Sequence, residues 1–284
     1  MAFAPGQVRW TRWAGAGAAA VLAGLAGCVS TSTSTSGNPG SSISPVGGGS
    51  RDIATASDQT QGDRLVKVRL DLASAYFARG QSKDALDEVK QALQVQPNSA
   101  PAYALRGLIY ASLGDPSTAD DSFHRSLSIA PHDGDTMHNY GWFLCQQGRY
   151  AESDAAFAQA IAEPTYRAQS RTLLAQGVCQ VRAGNPELAE KTLSHSYELD
   201  PGNPTTAANL ADVLYRRGDY DRARFYIRRV NNKEEFQGPQ TLWLAARIER
   251  KLGQESQVQE LGAQLHKRFP QAPETLLFEK GNFE

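Results

Sequence analysis

Small and large apolar positions recur along most of this chain at fixed places in units of about 34 residues. Glycine marks the period: it stands at 80, 114, 148, 184, 218 and 253, with spacings of 34, 34, 36, 34 and 35. With each glycine at position 15, the units begin at 66, 100, 134, 170, 204 and 239. Position 8 is then always small (Ala73, Gly107, Gly141, Gly177, Ala211, Ala246). Position 20 reads Ala85, Ala119, Ser153, Ala189, Ala223 and Val258. Position 24 is large and apolar in Val89, Phe123, Phe157, Leu193 and Ile227, but the last unit has Gly262. Position 32 is Pro97, Pro131, Pro201 and Pro270; the third unit has Thr165 beside Pro164, and the fifth has Glu235. Each unit therefore predicts two helices, the first ended by a left-handed glycine and the second stopped by proline.

Small residues at positions 8 and 20 let two antiparallel helices approach closely, and larger apolar residues fill the space between them. This pattern resembles the tetratricopeptide repeat, matched well in four units and more loosely in the fifth and sixth. The resemblance implies an all-α solenoid of six helical hairpins over residues 66–272, within a domain spanning 63–284. Pro273 to Glu284, with Leu276, Leu277 and Phe278, is expected to cap the last apolar face.

The first 62 residues follow a different pattern. Residues 1–27 hold Arg9 and Arg12, no acid, and a small-residue apolar stretch from Ala14 to Ala26, as a secretory signal peptide does. Leu25-Ala26-Gly27-Cys28 resembles a bacterial lipobox, which implies lipidation of Cys28 as the mature N-terminus. Several acyl chains anchor stably, since each buried CH2 contributes roughly 0.8 kcal/mol and a single chain is marginal. In lipoproteins with this box an Asp after the cysteine favours the inner membrane. Val29 stands there instead, so the resemblance implies the outer membrane, facing the periplasm. Residues 28–62 are rich in Ser, Thr and Gly, with few large apolar residues, and are expected to be a disordered tether reaching roughly 30–35 Å.

Composition narrows the function. The 284 residues carry 29 Lys+Arg against 30 Asp+Glu, a net charge of −1, which excludes a globally basic nucleic-acid binder. No phosphate loop, His-Glu-x-x-His or nucleophile elbow occurs, and the five histidines lack metal-ligand spacing. The expectation is a non-enzyme with no cofactor, no metal and no small-molecule substrate. Arg216, Arg217, Arg222, Arg224, Arg228, Arg229 and Lys233 form a late basic run that reads as a solvated helix face more than as a lipid or nucleic-acid site. Cys145 and Cys179 fall at positions 12 and 10 of neighbouring first helices. A bridge or two buried thiols both satisfy that placement; an oxidising compartment favours the bridge.

Positions 2, 5, 9 and 12 of the first helices line the concave face of such an array. They include Leu70 and Phe77, Ala104 and Leu108, His138 and Trp142, and Leu174 and Val178. Units five and six offer Asp212, Tyr215, Trp243, Arg247 and Arg250 instead. Large apolar side chains on a concave surface suit an extended or helical peptide. The run from His138 to Tyr150, His-Asn-Tyr-Gly-Trp-Phe-Leu-Cys-Gln-Gln-Gly-Arg-Tyr, resembles the corresponding stretch of type IV pilus biogenesis and stability lipoproteins. Those proteins combine a lipobox leader with six repeats at about this length. The resemblance implies a pilotin, an outer-membrane lipoprotein that binds the pilus secretin and supports its multimerisation. It also implies the Cys145–Cys179 bridge. The alternative is an adaptor or regulator of another envelope assembly or cell-wall synthesis complex.

Overall fold

The computed structural model describes residues 60–283; the leader, Cys28 and the tether up to residue 59 lie outside the described residues. The six units appear as six antiparallel helix pairs. They are α1 (Gln61–Ala78) with α2 (Ser82–Val95), α3 (Ala100–Leu113) with α4 (Pro116–Ile129), and α5 (Gly134–Gln146) with α6 (Tyr150–Ala162). The series continues with α7 (Gln169–Arg182) and α8 (Pro186–Leu199), α9 (Pro204–Arg216) and α10 (Tyr220–Asn231), then α11 (Pro239–Lys251) and α12 (Glu255–Arg268). A last helix, α13 (Pro273–Glu279), follows. Each first helix packs on its own second helix and on the next first helix, so the array is a tetratricopeptide-repeat solenoid.

The local causes are those of the sequence pattern. The position-15 glycines have φ between +70° and +82°, a left-handed conformation that side chains resist. Position 8 is small because the paired helix sends a large side chain against it. A Cβ on Gly141 would lie 2.8 Å from the Phe157 ring, and one on Gly177 would lie 2.6 Å from Leu193. The first helix begins at Gln61, two residues ahead of the boundary read from sequence. Thr60 and Asp63 form a capping box there: Thr60 Oγ1 accepts from the Asp63 N–H at 3.1 Å, and the Thr60 N–H donates to the Asp63 carboxylate at 3.0 Å.

Three units depart from the period, and each departure is repaired by a particular side chain. The 36-residue spacing of unit three leaves extra residues between α6 and α7. Tyr166 from that stretch is buried over Gly134, where a Cβ would come within 2.6 Å of its ring. Unit five lacks its proline, and the chain makes a single 3-10 turn at Glu234–Phe236 that packs Phe236 against the Leu214–Ile227–Ile248 core. Unit six has Gly262 where a large side chain belongs. Phe278 from α13 enters that space, its ring tip standing where a Cβ on Gly262 would be.

Candidate peptide-binding face

The face of the first-helix layer is built from side chains held at the joints between repeats. At the first joint, Leu70 and Phe77 are half-buried against Ala73, Ala85 and Ile109. Ala104 is half-buried on α3, and Leu108 packs partly against Phe123, Tyr140 and Phe143. At the third, Trp142 lies against Phe157 and the Cys145–Cys179 pair, which form a disulfide with Cα atoms 5.9 Å apart. The Arg182 guanidinium sits 5.0 Å from the Trp142 ring centre and covers part of it. Leu174 packs partly on the cluster that begins the C-terminal core, and Val178 is half-buried one turn along α7. The eight residues share intermediate exposure, each packed on the core on one side.

His138 departs from the role of an open groove residue. Its Nδ1 is 2.8 Å from Thr172 Oγ1, and its ring packs on Phe157 with centroids 5.8 Å apart. Thr172 Oγ1 in turn lies 2.7 Å from the Tyr166 hydroxyl, so a chain of polar contacts fastens α5 to α7. Burial first, and the Arg171 cation next, push the His138 pKa down to about 4. The imidazole is therefore neutral at pH 7 and serves as a joint.

The run from His138 to Tyr150 proves to be mostly the back of this face. The Tyr140 hydroxyl donates to Asp120 at 2.9 Å, and Arg149 reaches the same carboxylate at 2.9 Å. Phe143 is buried against Phe123, 5.6 Å between ring centres. Trp142 is half exposed and Tyr150 more so, the large aromatic side chains of the run that are not buried. Arg182 and Tyr166 were not singled out by sequence. Arg182 falls one position past the groove set, and Tyr166 lies in the insertion where the repeat register gives no guidance.

Toward the C-terminus the same face changes character. A recess of about 300 Å³ lies between α9 and α11, lined by Ala208, Asn209, Asp212, Trp243, Arg247 and Glu274 among others. Trp243 and Tyr215 are largely buried, a correction to their expected place in the groove. Trp243 is covered by Phe278 and Phe283, and Tyr215 by the Arg247 guanidinium at 4.4 Å. Position 12 points toward the next first helix, which explains both Tyr215 and the half of the disulfide at Cys145.

Five of the seven residues of the basic run are in ion pairs, and Arg229 and Lys233 lie over the Phe225 and Phe236 rings. Arg216 meets Asp212 at 2.8 Å, Arg222 meets Glu190 at 2.8 Å, Arg217 meets Glu190, and Arg224 meets Asp221 at 2.7 Å. Arg228 holds the buried Glu249 at 2.7 Å. Such pairing leaves little free positive field for a polyanion. Among the described residues no group of three or more His, Cys, Asp or Glu is placed to hold a metal, and no helix is long and apolar enough to cross a membrane.

Comparison with known proteins agrees with this construction. Tetratricopeptide-repeat families match residues 70–133, 144–204 and 180–248. The crystal structure of PilW, described as a widely conserved type IV pilus biogenesis factor, is 31% identical with a TM-score of 0.69. It aligns over 75% of this chain and 97% of that one. The PilF structure from Pseudomonas aeruginosa has the same fold at 24% identity, TM-score 0.69, over 78% of this chain and all of that one. By sequence, the type IV pilus assembly protein PilF of Pseudomonas aeruginosa is 27% identical over 164 residues, 58% of this chain; the match spans 65% of that relative's length. The chain belongs to the tetratricopeptide-repeat proteins, among the type IV pilus biogenesis factors that PilW represents.

Proposed function

We propose that this protein is a non-catalytic scaffold of type IV pilus assembly, a pilotin that binds the pilus secretin subunit along the face of its first helices. The observation that carries the reading is the row of half-exposed, largely apolar residues from Leu70 to Val178, backed by the core, with Trp142 in its third unit. It offers apolar contact area over four repeats without requiring the fold to move, which limits the ordering cost of binding. Similarity to PilF and PilW supplies the biological setting. Lipidation of Cys28 would hold the scaffold at the outer membrane, and the Ser/Thr/Gly tether would let it work away from the periplasmic surface.

Recovery of partners from envelope membranes tests this directly. Capture of the pore-forming secretin, lost with Trp142→Ala or Leu108→Ala, is the expected result. Capture of a synthase or insertase in its place would overturn it. Cys28→Ser is expected to release the protein from membranes and to impair secretin multimerisation; normal multimers in that variant would remove the delivery role.

A further inference from the structure

The first-helix face changes charge along its length, and two of its arginines hold no carboxylate. Position 13, one turn beyond face position 9, is Ala78, Ser112 and Gln146 in units one to three but Arg182, Arg216 and Lys251 in units four to six. Arg216 is held by Asp212 at 2.8 Å. Arg182 lies instead over the Trp142 ring, and Arg247, at position 9 of unit six, lies over the Tyr215 ring at 4.4 Å. Among the described residues neither makes an ion pair, and the Arg247 Nε–H is buried with no acceptor. An arginine resting on an aromatic face keeps its in-plane N–H fork free, and that fork matches a carboxylate through two parallel bonds.

Glu274, from the start of α13, lines the α9–α11 recess with Arg247, and its Oε2 is also buried without a partner. Arg247 does not pair with it, so an occupant that bonds both offers an acceptor to the arginine and a donor to the carboxylate. An acidic residue of a peptide does so, with its side-chain carboxylate on Arg247 and its backbone N–H on Glu274. Arg182 and Arg247 each lean back onto the preceding first helix, so their separation follows that of α7 and α11. Those helices are two steps of about 8–10 Å apart, with about 6 Å more along the axis. An extended chain covers that span in about five or six residues. We propose that the occupant of this face is an acidic segment, with apolar side chains over units one to three and carboxylates on Arg182 and Arg247. Such selectivity rests on the face being a peptide-binding surface, and it holds whichever protein supplies the segment.

Selection from a random display library, of peptides about 12 residues long, against the full chain with Cys28→Ser tests the charge. The parent is expected to select peptides with two Glu or Asp at that spacing beside apolar residues. Against Arg182→Gln with Arg247→Gln, the apolar residues are expected to persist and the acids to disappear. For a selected peptide, either single Arg→Gln variant should weaken binding about tenfold, and Arg247→Lys should recover only part of that loss. Added salt should weaken the parent more than the double variant. Peptides without acid enrichment, or none at all, would overturn the proposal. So would equal affinity of the parent and the double variant with matching melting temperatures. Selection of acidic peptides by a chain that fails to bind the secretin would uphold this selectivity and remove the secretin as partner.

Discussion

At the C-terminal end of the array, Phe278 fills the space left by Gly262, and Phe283 stacks on Trp243 with ring centres 5.0 Å apart. At the N-terminal end, Leu65, Val68 and Leu72 face solvent. Both ends confront the same physical problem, since a stack of helical hairpins always exposes two apolar faces. One is closed by α13, a short helix that stands where a seventh unit would begin, and the other is left as a stripe. Exposed apolar side chains contribute little to folding, so the two ends are expected to differ sharply in what they contribute to stability and what they leave open to association.

Truncation at each end sharpens that contrast. Phe278→Ala should lower stability by about 2–4 kcal/mol, because it opens a cavity over Gly262 that the backbone cannot collapse into. Val68→Ser should change stability by less than about 0.5 kcal/mol. Urea unfolding of both variants checks this, and equal losses would break the comparison. Between the ends, removing the disulfide with Cys145→Ser and Cys179→Ser should cost about 3–4 kcal/mol by the chain-entropy relation for residues 34 apart. That loss should appear in the central repeats by hydrogen exchange, with the C-terminal cap unaffected.

The smallest effect concerns pH. Burial in the folded state holds His138 at a pKa of about 4, below its ordinary value of 6.5. Between those values the unfolded chain binds more protons, so stability is fully present above about 6.5 and falls as pH drops toward 4. A melting temperature that declines over this window in the parent, and declines less in His138→Gln, is the expected outcome. Identical pH profiles would remove His138 from the joint between α5 and α7.

The hairpins were legible in the sequence because small residues at 8 and 20 and glycine at 15 each answer to a local steric demand. Phe123 and Phe157 follow from the same logic. What the repeat register could not supply were contacts made across irregular spacing. Tyr166 comes from the insertion, Phe278 comes from beyond the last unit, and the carboxylate of Glu249 is buried beside Arg228 through side chains outside the consensus. The face register leaves Leu70, Phe77, Ala104, Leu108, His138, Trp142, Leu174 and Val178 half exposed in the first four units. It was misread at Trp243 and Tyr215, because a neighbouring aromatic or arginine covers them and no single unit shows that neighbour.

Binding of the purified secretin subunit tests the proposed role of the Leu70–Val178 face most directly. Affinity should fall at least about tenfold with Trp142→Ala, consistent with the loss of one buried aromatic anchor, and should be unchanged with Phe225→Ala on the exposed side of α10. Melting temperatures measured alongside would separate lost contact from lost fold. Equal affinity of Trp142→Ala and the parent, with both fully folded, would contradict the account.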